Sequence, residues 1–177
     1  MLLQAQGDLA GAALLMREAL QLSRETLGNR HPNTLCSIGN LGLLLHDQGD
    51  LAGAAPLLRE ALQVSRQTRG GRHPDTITSI NNLGMLLHAQ GDLAGAAPLL
   101  REALQVSRET LGNRHQNTLG TIGNLGLLLQ EQGETVEALA LLREFQTASG
   151  GASTKALLDA LGELETRASV SAGEAGR

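Results

Sequence analysis

Three imidazoles recur at one place in a repeating sequence: His31, His73 and His115, each 42 residues after the last. Histidine at a fixed period invites a metal site. Zinc, however, needs its ligands about 2 Å from one ion, whereas equivalent residues on neighbouring helix pairs lie about 10 Å apart. A cap or turn role is therefore the expectation for all three. Cys36 is the only cysteine, so there is no disulfide framework and no thiolate cage. It also has no histidine partner encoded beside it. The chain carries no phosphate-cradling Gly-x-x-x-x-Gly-Lys-Ser/Thr, no His-Glu-x-x-His and no nucleophile elbow. No catalytic, cofactor-binding or metal residue is assigned, and the chain reads as a non-enzyme. Arg17, Arg59, Arg101 and Arg143 form a ladder, flanked by Glu18, Glu60, Glu102 and Glu144, with Arg24, Arg66 and Arg108 seven residues further on. That ladder reads either as a charge-balanced solvated face or as a contact for acidic peptides or phosphate.

Composition narrows the partners. The formal net charge is −4, from 14 Lys+Arg against 18 Asp+Glu, and Phe145 is the only aromatic. A nucleic-acid footprint needs basic clustering and stacking rings, and neither is present. No apolar run approaches the ~18 residues that span a bilayer, and Met1-Leu2-Leu3-Gln4 lacks a charged leader. The expectations are no nucleic acid, no membrane and a cytoplasmic location. The apolar set is leucine and alanine with little else, so core layers must be thin.

The elements that position these residues come from a repeat. Gly-Asp-Leu starts at Gly7, Gly49 and Gly91, and Gly-Glu-Thr at Gly133, each 42 residues after the last. Residues 7–48 and 49–90 agree at roughly 30 aligned positions, the mark of a solenoid whose units bury their apolar faces on one another. In residues 73–112, His73-Pro74-Asp75-Thr76 opens a helix. Ile77, Ile80, Leu83, Gly84 and Leu87 then follow at helical spacing, and Gly91 ends it. Asp92 caps a second helix, whose stripe is Leu93, Ala96, Leu100, Ala103, Leu104 and Leu111, stopped by Gly112. Gly95 and Pro98 oppose this helix locally and predict a bend near its start. The short links allow only an antiparallel hairpin.

Leu83-Gly84, Leu87, Ala96, Leu100 and Ala103 resemble the signature of tetratricopeptide repeats, with leucine where aromatics are usual. The 42-residue unit is similar to the kinesin light chain type. Leu111-Gly112-Asn113-Arg114-His115, Ile80-Asn81-Asn82-Leu83 and Ala96-Ala97-Pro98-Leu99-Leu100-Arg101-Glu102-Ala103-Leu104 carry that likeness. The resemblance implies an all-α fold, a right-handed α-solenoid of antiparallel helix pairs, with first helices lining a concave groove. Positions expected on that groove are Cys36, Gly39, Asn40, Leu43, His46 and Asp47, then Thr78, Asn81, Asn82, Met85, His88 and Ala89. The third copy supplies Gly120, Gly123, Asn124, Leu127, Gln130 and Glu131. Apart from the recurring Asn40, Asn82 and Asn124, these vary more freely between copies than the packing positions, through tuning to a ligand or through drift on a solvated face. Asn40, Asn82 and Asn124 either bond a peptide main chain, as the resemblance implies, or satisfy a neighbouring helical link.

The array is expected over residues 1–148, with units starting near 7, 49, 91 and 133. Met1-Leu2-Leu3-Gln4-Ala5-Gln6 matches Met85-Leu86-Leu87-His88-Ala89-Gln90, so the first repeat reads as truncated. Leu9, Leu15 and Leu20 are then incompletely covered, and the N-terminal edge is open to self-association. At the other end, Gly150-Gly151 break the array. Ser153 or Thr154 caps a helix over 152–168 with Ala156, Leu157, Leu158, Leu161 and Leu164 inward, and 169–177 reads as a disordered tail.

The function expected is a protein–protein interaction module or scaffold, kinesin light chain-like, that takes a peptide or partner protein on its concave face. The likeness stops short of motor function. Alternatives are a structural or self-associating repeat spacer, or a fragment of a larger signalling protein.

Overall fold

The computed structural model describes residues 9–149 and 155–175. Among them are eight helices and no strand: α1 Leu9–Leu27, α2 Pro32–Asp47, α3 Leu51–Arg69, α4 Pro74–Ala89, α5 Leu93–Leu111, α6 Gln116–Gln132, α7 Thr135–Ala148 and α8 Lys155–Ala175. They fall into two compact units, Met1–Gln90 and Gly91–Arg177. In the first, α1 packs on α2, α2 on α3 and α3 on α4, while α2 also touches α4. The second repeats that plan with α5 to α8, and α6 touches α8.

Local chemistry explains each start and stop. The imidazole Nδ1 of His31, His73 and His115 accepts from the backbone N–H of Asn33, Asp75 and Asn117 at 3.1–3.2 Å. Each histidine is thus the N-cap of a first helix. Asp50 and Asp92 cap α3 and α5 by accepting from Gly53 N and Gly95 N at 2.9 Å. Links after the first helices turn at Gly49, Gly91 and Gly133, whose φ of 78–80° only glycine adopts cheaply. The chain reverses at each link. Thr34 Oγ1 donates to the Ser23 carbonyl across the α1–α2 link, and the Ser65 and Ser79 hydroxyls face each other across α3–α4. α3 and α5 run unbroken through Pro56 and Pro98, whose rings are exposed.

Packing within a pair turns on one glycine. A Cβ on Gly42 would stand 2.6 Å from Leu58 Cδ2, and one on Gly126 2.5 Å from Leu142 Cδ2. The helices approach so closely because that methyl is missing. Leu58, Ala61 and Leu62 are buried beneath α2, with Ile38, Leu41 and Leu44 opposite. A second tie recurs along the chain. The glutamine at the end of each first helix reaches back to the first residue of the preceding second helix: Gln48 to Leu9 O, Gln90 to Leu51 O and Gln132 to Leu93 O. These side chains satisfy carbonyls and fix the spacing between successive pairs.

Three expectations about the ends need correction. Leu20 is 4% exposed, because it faces α2, so it is not left uncovered. The open positions of α1 are Leu14, Leu15, Leu22 and Leu27, at 45–60% exposure, and Ala19 is exposed where Ala61 is 3%. Residues 1–8, where the truncated first helix was expected, lie outside the described residues. So do Gly150-Gly151 and the capping candidates Ser153 and Thr154. α8 is helical to Ala175, seven residues beyond the expected 168. Its last turns contain alanine, serine and valine with one glycine, and a single glycine costs only about 1 kcal/mol in a helix. Its buried face is Leu157, Ala160, Leu161 and Leu164, while Leu158, expected inward, is 46% exposed.

Candidate peptide-binding site

The first helices of the first unit enclose a recess of about 220 Å³. α2 supplies Leu35, Cys36, Gly39, Asn40 and Leu43, one face at helical spacing. α4 supplies Asp75, Thr78, Ser79 and Asn82, with Ser65 of α3 behind them. Gly39 opens the floor: a Cβ there would meet nothing within 4 Å. Leu35 and Leu43 give apolar wall, and Asn40 and Asn82 give amides. Neither amide makes a hydrogen bond among the described residues. The structural alternative, in which these asparagines satisfy a helical link, is therefore not realised at Asn40 or Asn82. Asp75 at the rim is bonded by Arg69, which removes it as a free acceptor.

The other expected positions separate. Asn81 and Met85 sit one turn apart on α4, with Asn81 Nδ2 donating to Met85 Sδ at 3.5 Å, and both are outside the recess. They occupy the positions of α4 that correspond to Gly39 and Leu43 on α2, and only their neighbours Thr78 and Asn82 line the recess. His46 and His88 are in the last turns of α2 and α4, half-buried, and His46 Nδ1 lies 3.2 Å from Asp47. In the second unit, Asn124, Leu127 and Gln130 are half-buried on α6, beside α8. A Cβ on Gly123 would meet Leu157 of α8 at 3.5 Å, and Gln130 donates to Glu163 at 2.9 Å. The last helix covers part of that groove face. The residues that the sequence reading missed are Leu35, Ser65, Asp75 and Ser79. Their signal was the i, i+3, i+4, i+7 series 75, 78, 79 and 82, the flank that α4 turns toward α2.

Part of the arginine ladder resolves into ties between helices. Arg24 reaches Glu60 at 2.7 Å, Arg101 reaches Glu137 at 2.8 Å, and Arg108 reaches Glu144, each pair 36 residues apart. Arg143 bonds Glu165 of α8. Half-exposed pairs of this kind contribute about 0.2–1 kcal/mol each. The Arg101 guanidinium is held above its usual pKa by its hydrogen bond to Glu137, against a smaller lowering from burial. Among the described residues there is no cluster of three metal-ligating side chains, and no helix is long and apolar enough to cross a membrane.

The tetratricopeptide repeat family profile matches residues 1–67, 38–109 and 78–145. No curated protein matches the chain. Among solved structures, the chain is similar to nearly identical TPR-like repeats of a kinesin light chain from Podosopora anserina. The TM-score is 0.78 at 22% identity, over 93% of this chain and 81% of that one. It is also similar to BtubC (BKLC) from P. vanneervenii, with a TM-score of 0.80 at 21% identity, over 95% of this chain and 69% of that one. These likenesses show the fold, an all-α solenoid of helix pairs. Repeats of this kind typically serve as protein-interaction scaffolds. With family matches running from residue 1 to 145, the chain belongs to the tetratricopeptide repeat family.

Proposed function

We propose that the chain is a peptide-docking module, and that an extended or helical partner segment lies along the α2–α4 recess. The observation that carries this reading is the pair of unspent amides of Asn40 and Asn82, set around an apolar wall and a glycine floor. Asparagine amides that donate and accept at once suit a peptide main chain, and Gly39 admits its close approach. The free, exposed thiol of Cys36 suits a reducing compartment, in keeping with a cytoplasmic setting.

Asn82→Ala tests it. Binding of peptides selected on the wild-type chain from a random library should fall about tenfold, the worth of one or two hydrogen bonds. The melting temperature should stay within about 2 °C. Unchanged affinity would rule out the recess as the docking site. A large loss of melting temperature would make Asn82 a structural residue.

A second reading rests on a separate observation. Leu14, Leu15, Leu22 and Leu27 of α1 are open, at positions whose later copies are Pro56, Leu57, Val64 and Arg69. In this reading α1 takes up another helix and the repeats act as a self-associating spacer. Size that rises with concentration in light scattering, and stays constant in Leu15→Lys/Leu22→Lys, would support it.

A further inference from the structure

Each unit carries a cleft built on the same plan. The first, about 490 Å³, is lined by Arg17, Leu20, Arg24, Leu41, Gly53 and Leu57. The second, about 350 Å³, is lined 84 residues on by Arg101, Leu104, Arg108, Leu125, Glu137 and Leu141. Five of these six pairs are identical, and the sixth replaces Gly53 with Glu137. In the second cleft the Glu137 carboxylate closes the rim by accepting from Arg101 at 2.8 Å. In the first, Gly53 offers no carboxylate, the nearby Asp50 carboxylate is engaged by the Gly53 N–H, and the Arg17 guanidinium has no ion-pair partner among the described residues. The lower guanidinium is paired in both, Arg24 to Glu60 and Arg108 to Glu144.

The exchange follows from the helix caps. At the start of α3, Asp50 accepts from Gly53 N, and a Cβ on Gly53 would collide with that carboxylate. At the start of α7, Glu134 makes no side-chain cap, and Glu137 is spared for Arg101. The second unit gives up a cap and fills its cleft. The first keeps its cap and leaves a cation above an apolar floor.

We propose that the first cleft docks a glutamate-bearing aliphatic segment of a partner protein. Its carboxylate takes over Arg17 the place that Glu137 holds over Arg101, and its apolar neighbour lies on Leu20, Leu41 and Leu57. Charge complementarity with Arg17 and the chain's own occupant of the twin cleft both specify that ligand. This surface lies between α1 and α3 over Leu41 of α2, and it shares no lining residue with the α2–α4 recess.

The probe is a capped peptide with the sequence of residues 134–144, in which Glu137 is embedded, together with its Glu137→Gln form. Binding is read from backbone amide shifts in the full-length chain. The wild-type peptide should shift Leu20, Leu41 and Gly53, and the Gln form should need about tenfold more peptide for the same shift. Arg17→Gln in the protein should abolish the effect at those residues, whereas Asn82→Ala leaves it unchanged. Glu137→Ala in the protein should open the twin and bring shifts to Leu104 and Leu125 that the wild type lacks. Equal binding of both peptides, persistence in Arg17→Gln, or no new shifts in Glu137→Ala would each overturn the proposal.

Discussion

Gly42→Ala lowers stability by about 1–3 kcal/mol, even though alanine is the better helix former by about 1 kcal/mol. The new methyl has nowhere to go: Leu58 Cδ2 stands 2.6 Å and its Cγ 2.8 Å from the Cβ position, and Leu58 is itself 1% exposed. Repacking would force that leucine off its rotamer or push α2 and α3 apart. Leu58→Ala alone costs about 2–5 kcal/mol by leaving a cavity. The informative variant is the double one. With Leu58 truncated, the Gly42 methyl fills part of the hole, so the pair costs less than the sum by at least about 1 kcal/mol. Urea denaturation of the four chains measures this. Strict additivity would mean that the two residues do not share the contact, and the account of close pairing through glycine would be wrong.

The second large effect is at the other end. Leu164→Asp puts a carboxylate where the leucine is 0% exposed, among Leu157, Leu161 and α7. A buried, unpaired charge of this kind costs about 4 kcal/mol or more. α8 contributes few other contacts, so the expected outcome is local release rather than global unfolding. Hydrogen exchange should show amides of α8 losing protection, together with faster exchange near Gly123, where Leu157 no longer lies. α1–α4 should keep wild-type protection. Full protection of α8 in this variant would contradict its packing on α6 and α7.

The helix pairs were legible in the sequence because their determinants are local. Histidine and aspartate caps, proline at the first turn, and glycine at the stops recur with the period, and each acts within a few residues. Burial at Ile77, Ile80, Leu83, Gly84 and Leu87 followed from spacing alone. What escaped depended on how one pair sits on the next. Three of the Arg–Glu ties join residues 36 apart, slightly less than one repeat, and adjacent Arg–Glu neighbours in the sequence concealed them. The recess draws Asn82 from α4 but not its neighbours Asn81 and Met85, a distinction of one residue that periodicity does not make. Gln130 and Gly123 looked like groove residues because they fall one and two periods after His88, His46, Asn81 and Gly39. α8 packs beside them, and nothing within the repeat foretells that.

Peptide docking in the α2–α4 recess is open to amide-shift mapping of the 177-residue chain with peptides selected from a random library. The expected result is a contiguous set of shifts at Cys36, Gly39, Asn40, Leu43, Thr78 and Asn82, with the third-copy positions Asn124 and Leu127 unmoved. Failure to select any binder, or shifts that leave the recess untouched, would contradict it.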